Sequence, residues 1–135
     1  MDMMRAADKI KDLSRFLEEL GRIVPKSVEE YRSNIEKKAA CERYAEKIVE
    51  ALTDLAFLTI KNRKLKMPES DTDAFNILSE NKIITDELCA KLKKAKGMRN
   101  IIAHQYGSID DEIVFEAIAK ELPKDARDFA RSIKK

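Results

Sequence analysis

Three glycines and three prolines in 135 residues leave this chain few places to turn. Glycine and proline are the strongest local breaks in secondary structure, so long uninterrupted elements are expected. The remaining residues are dominated by Ala, Leu, Glu, Lys and Arg, which lose least on entering a helix. No stretch sustains the alternation that a half-buried strand needs. "EIVFEAI" comes nearest, yet Ile113, Val114, Ala117 and Ile118 fit helical spacing better. The expected fold class is all-α. It is an up-and-down bundle of about five to six helices, with residues 1–135 forming a single domain.

The spacing predicts a first helix from Asp2 to Gly21, with Ile10, Leu13, Leu17 and Leu20 on one stripe and Gly21 and Pro25 ending it. A second helix begins near Ser27, where "SVEE" has the pattern of a capping box, and runs on to Asn62. At about 1.5 Å per residue that helix is roughly 50 Å long. Its C-terminal half carries Leu52, Leu55, Phe57, Leu58 and Ile60 on more than one face. Such a segment needs cover on several sides, from a second chain or from its own neighbours. "NRKLKMPESD" reads as a loop, with Ser70 or Asp71 capping a short helix over 73–82. A fourth helix, capped by Thr85 and stopped by Gly107, follows. A fifth spans 110–122, and a sixth has Pro123 in its first turn.

Several functions are disfavoured by what the chain lacks. There is no Gly-rich phosphate loop. One histidine and two distant cysteines do not make a usual zinc site, and neither a metal nor a cofactor is expected. Cys41 and Cys89 lie on apolar stripes and read as small core residues in a reducing compartment. The acid pairs Asp71 with Asp73 and Asp110 with Asp111 lie where helix caps are expected. No signal peptide is visible, and "ALTDLAFLTI" is too short to span a bilayer, so a cytoplasmic protein without membrane attachment is expected.

Against a net charge of only +2, two short stretches are basic and free of acids. "KNRKLK" is one. The other, "KLKKAKGMR", holds Lys91, Lys94 and Lys96 and leads directly into the only histidine of the chain, His104. Such clusters suit a nucleic-acid backbone, with Lys91, Lys94 and Lys96 as candidate RNA contacts. They equally suit a solvated helix face balanced by acids from neighbouring elements. Histidine donates and accepts protons near neutral pH, and arginine grips phosphate and stabilises charge on its oxygens. Arg99 and His104, without metal ligands, therefore suit RNA cleavage, in which the substrate's own 2′-hydroxyl is the nucleophile. Five positions on a regular helix place the two about 140° apart. A shared site then needs a broken helix, a reaching arginine, or a cleft entered from two sides by a two-fold dimer. The plain alternative for His104 is a residue of the last helical turn, favoured there by the helix dipole.

"RNIIAHQY" fits the pattern R-x4-H-x-Y, with Asn100 after the arginine. With "AACERYAEKIVEALTDLAFLTI" before it and "AFNILSENKIITDELCAKLKKAKGMRNIIAHQYGSID" around it, the chain resembles the HEPN superfamily over roughly residues 1–120. The likeness is to the HepT toxins of prokaryotic toxin–antitoxin pairs in particular. That resemblance implies a HEPN-type bundle with a long second helix, acting as a homodimer whose motifs face each other across a cleft. It implies metal-independent RNase activity, with Arg99 and His104 as the catalytic pair and Asn100 in support. It implies a minimal nucleotidyltransferase antitoxin, MNT or MntA, that silences the toxin by AMP transfer to Tyr106. Asp54 sits where the family tends to carry an acid, and it is expected to pair with a motif residue such as Arg99 or to lie exposed at the bundle edge. A second functional reading is a non-catalytic HEPN module that docks a nucleotidyltransferase or RNA. The intact Arg99–His104–Tyr106 set favours the nuclease.

Overall fold

The computed structural model describes residues 2–104 and 110–134, with side chains from Met4 onward. Every regular element among them is helical: α1 (Asp2–Ile23), α2 (Val28–Ser33), α3 (Ile35–Asn62), α4 (Asp71–Glu80), α5 (Asp86–His104), α6 (Asp111–Glu116), a π-helical turn (Ala117–Glu121) and α7 (Leu122–Lys134). The all-α expectation is met. Because α6, the π turn and α7 follow one another without a gap, the described chain forms six helical rods.

Two predicted boundaries are corrected. The long second helix is two helices, broken at Asn34. That residue leaves helical geometry at φ −105° and ψ 93°, and its side-chain oxygen accepts from the Lys37 N–H at 3.0 Å. Asparagine is a strong N-cap, and here it restarts the helix without glycine or proline. The opposite error falls at Pro123, where no new helix begins. Proline lacks an N–H and its ring crowds the preceding turn. The π turn just before it widens the helix, with the Leu122 N–H reaching back to the Ala117 carbonyl, and the rod continues. Gly21 likewise stays inside α1, which ends ahead of Pro25.

Other helix starts follow the expected chemistry. Ser27, Ser70 and Thr85 each accept from an N–H three residues on, and Asp110 accepts from Glu112 and Ile113.

The core is built around α3. Leu13, Leu17 and Leu20 of α1 pack along it, and α4, α5 and α7 cover its other sides. Leu52, Leu55, Ala56, Leu58 and Ile60 are all buried within the one chain. The apolar half of this helix is thus covered by its own neighbours. Phe75 of α4 meets Phe129 of α7 edge-on at 6.2 Å, and the buried Tyr31 of α2 packs on Phe115 of α6 at 5.4 Å.

Candidate functional site

Helix α5 carries the motif, and it stays regular from Asp86 through His104. Leu88, Cys89, Leu92 and Ile102 seat it in the core. This register turns Arg99 inward against α3. One terminal nitrogen, Nη2, lies 3.0 Å from Glu50 Oε1, and the other, Nη1, donates to Asn100 Oδ1 at 3.3 Å. The Arg99 side chain is 22% exposed, and its Nε is buried without a partner among the described residues. Each terminal nitrogen keeps a second N–H. The result is a guanidinium fixed in orientation, with donors left over for an anion.

His104 is exposed. Since α5 is unbroken, helical geometry puts His104 about 140° around the axis from Arg99. Arg99, Asn100 and Glu50 are therefore brought together within one chain, and His104 is presented on a different face. Of the three ways to join the pair, the broken helix is removed. Tyr106 and Gly107 lie outside the described residues.

Two expectations about charges are corrected. Asp54 does not pair with Arg99; it pairs with Lys9 of α1 at 2.9 Å and is about half exposed at the bundle edge. Glu50, one helical turn earlier on α3, stands opposite Arg99 and takes that place. Sequence reading passed over Glu50 because it looks like any solvated acid in "YAEKIVE", whereas Asp54 stood out among apolar neighbours.

The basic cluster is also largely answered by acids. Lys96 is only 14% exposed and sits 2.7 Å from Asp71, so it is a structural ion-pair partner and not a free RNA contact. Lys91 meets Glu87 at 3.3 Å along its own helix. Lys94 reaches Glu121 only at 4.0 Å and stays largely exposed. Surface pairs of this kind are weak and yield readily to a phosphate.

The cysteines are inert core residues. Burial pushes the Cys41 thiol up to about 11 and raises that of Cys89, so neither supplies a thiolate near neutral pH. Among the described residues no three His, Cys, Asp or Glu side chains converge as metal ligands.

Comparison with known proteins decides the family. Residues 7–133 match the ribonuclease HepT-like family. The chain belongs to that family. A protein of Aphanizomenon flos-aquae described as a tRNA nuclease HepT is 28% identical over 111 residues, covering 82% of this chain and 76% of the relative. One of Shewanella oneidensis described as an mRNA nuclease HepT is 36% identical over 73 residues, or 54% of this chain and 55% of the relative. Among solved structures, a tri-AMPylated Shewanella oneidensis HEPN toxin in complex with an MNT antitoxin superposes with a TM-score of 0.88 at 26% identity, covering 96% of both chains. This HepT-like chain thus shares the helical architecture of a HEPN toxin along nearly its whole length.

Proposed function

We propose that this HepT-like protein is a metal-independent endoribonuclease, the toxin half of a type VII-like toxin–antitoxin pair. The observation that carries the reading is the held Arg99 guanidinium, with spare N–H donors, on the helix that also presents His104. Family membership and the nuclease relatives support it.

Arg99 binds the scissile phosphate and stabilises charge gathering on its oxygens. His104 moves the proton. The 2′-hydroxyl loses its proton to a base as its oxygen attacks phosphorus, and the 5′-oxygen leaves with a proton from an acid. A two-fold homodimer supplies two histidines for these two roles and lets Arg99 and His104 face one cleft from opposite chains. Asn100 supports the site by holding Arg99 Nη1. Lys94 and Lys91 are the basic residues left to guide RNA.

The partner is a minimal nucleotidyltransferase antitoxin that transfers AMP to Tyr106. The anionic adduct stands two residues from His104 and excludes an RNA phosphate by charge and volume. We place the protein in the cytoplasm, with residues 1–135 acting as one domain. Among the described residues no helix is long and apolar enough to cross a membrane. The direct test is His104→Ala, which should abolish cleavage by the purified protein. An unmodified wild-type dimer that cuts no RNA yet captures RNA or the nucleotidyltransferase would instead support the docking module.

Glu50 gives a separate prediction. Glu50→Ala frees the Arg99 guanidinium, and misplacement of a catalytic group lowers kcat on the order of tenfold to a hundredfold. Glu50→Gln keeps an acceptor and should recover part of that loss. KM and the thermal midpoint should change little in both. Full activity in Glu50→Ala would remove Glu50 from any role in positioning Arg99.

A further inference from the structure

α5, α6, the π turn and α7 border an open cavity of about 250 Å³. Asp125 of α7 lines it and is 5% exposed. Among the described residues it makes no hydrogen bond and no ion pair within 4 Å. Burial holds its carboxyl above the ordinary aspartate range, against the pull of Lys91 and Lys124. Neither carboxylate oxygen is a sealed, unpaired atom, so both can be reached from the cavity by water or by the N–H donors of a ligand.

The surroundings narrow what that ligand is. Met98, Ile113 and Leu122 give the cavity apolar walls, and Ile113 is 64% exposed at its mouth. Lys91, Lys94 and Lys124 stand around it, with Glu121 the other acid. The volume falls below the roughly 300–1,000 Å³ clefts that enclose drug-sized ligands and suits one flat heterocycle. Apolar walls suit a base plane, and lysines suit flanking phosphates. The carboxylate offers two acceptors side by side and no donor. Among the four RNA bases, only guanine presents two adjacent N–H donors, N1–H and N2–H, on its pairing edge. Adenine and cytosine each set a ring acceptor beside the amino group, and uracil flanks its one N–H with carbonyls.

We propose that this cavity binds a guanine base, with Asp125 accepting from N1–H and N2–H and the lysines meeting adjoining phosphates. Met98 precedes Arg99 directly, and His104 lies six residues on, about 9 Å along the helix axis at about 1.5 Å per residue. Met98 is also turned about 100° around α5 from Arg99 and about 120° from His104, so a guanine held here lies beside the motif helix and sets the cut position for an RNA strand that crosses from one face to the other. That last step rests on the nuclease reading; a free guanine nucleotide presents the same chemistry.

The test has a binding arm and a cleavage arm. Backbone amide signals of Met98, Ile113 and Ala117 are followed by NMR as GMP or AMP is added. GMP should bind more tightly than AMP on the order of tenfold or more. Asp125→Asn keeps the shape but pairs one acceptor with one donor, which complements the adenine edge and also O6 with N1–H of guanine. It should remove the preference for GMP. Ala117→Phe fills the cavity and should abolish binding of both. In the cleavage arm, RNAs with a single guanine in an A/U background should be cut at a fixed offset from it, and Asp125→Asn should lose that offset. GMP selectivity with cleavage indifferent to guanine keeps the guanine pocket and assigns it a free nucleotide. GMP selectivity in a protein that cuts no RNA keeps the pocket and removes the nuclease reading. Equal response to GMP and AMP in the wild type, or no response at these residues, overturns the proposal.

Discussion

Arg99→Ala is expected to lower RNA cleavage by about 10²–10³-fold, the scale seen when one preorganised donor to a developing oxyanion is removed. The fold should survive the change. Glu50, left behind, has a side chain about 45% exposed and can be met by water. The substitution also removes the buried Nε that has no partner among the described residues. Losing a partly exposed pair while relieving an unsatisfied donor leaves a net stability change within about 1 kcal/mol. Arg99→Lys should restore little of the activity. A lysine brings the charge back as a point, without the planar fork that holds Glu50 and Asn100 and keeps donors spare for a phosphate. The checks are initial cleavage rates and thermal unfolding followed by circular dichroism. Retained cleavage in Arg99→Ala, or loss of its helical signal, would remove the support that residue gives to a catalytic site.

The largest stability effect is expected at Phe129. It is fully buried and packs edge-on against Phe75 at 6.2 Å, joining α7 to α4 across the core. Phe129→Ala removes that contact and leaves a cavity, which costs about 3–5 kcal/mol. Domains of this size hold only about 5–15 kcal/mol in all. The thermal midpoint should fall on the order of 10–20 °C. Ile35 is the internal contrast. It is 78% exposed at the start of α3, and Ile35→Ala should stay within about 0.5 kcal/mol. Urea titrations of the two variants test this, with the slope unchanged and only the midpoint of Phe129→Ala displaced. Similar midpoints for both would contradict the packing described around α3.

The features most legible in the sequence were those carried by local chemistry. Thr85 caps its helix as expected, and of the two candidates Ser70 and Asp71 it is Ser70 that caps α4. Leu13, Leu17 and Leu20 lie on the buried stripe that their spacing defined. The breaks were harder, because they depend on competition between neighbours. Asn34 restarts a helix through its side chain, and Pro123 is absorbed by a π turn that begins six residues before it. The site divides in the same way. R-x4-H-x-Y is visible as a string of residue types. The partner of Arg99 is not, because the choice between Glu50 and Asp54 rests on how α5 sits on α3, a long-range register. Lys96 shows the same limit: it looked free beside other lysines, and Asp71 holds it from across the fold. Asp125 carried no signal at all, since an acid near the start of α7 reads as ordinary helix chemistry.

The central claim is that this helical bundle cuts RNA through Arg99 and His104 without a metal. Its most direct test is cleavage of a mixed RNA pool in EDTA, by wild-type protein beside His104→Ala. Both are first checked by intact mass for an adduct on Tyr106, and both must show the same oligomeric state. The account predicts that the unmodified wild type cuts and that His104→Ala, equally folded, does not. Cleavage by both proteins alike, or by neither when unmodified and dimeric, would contradict it.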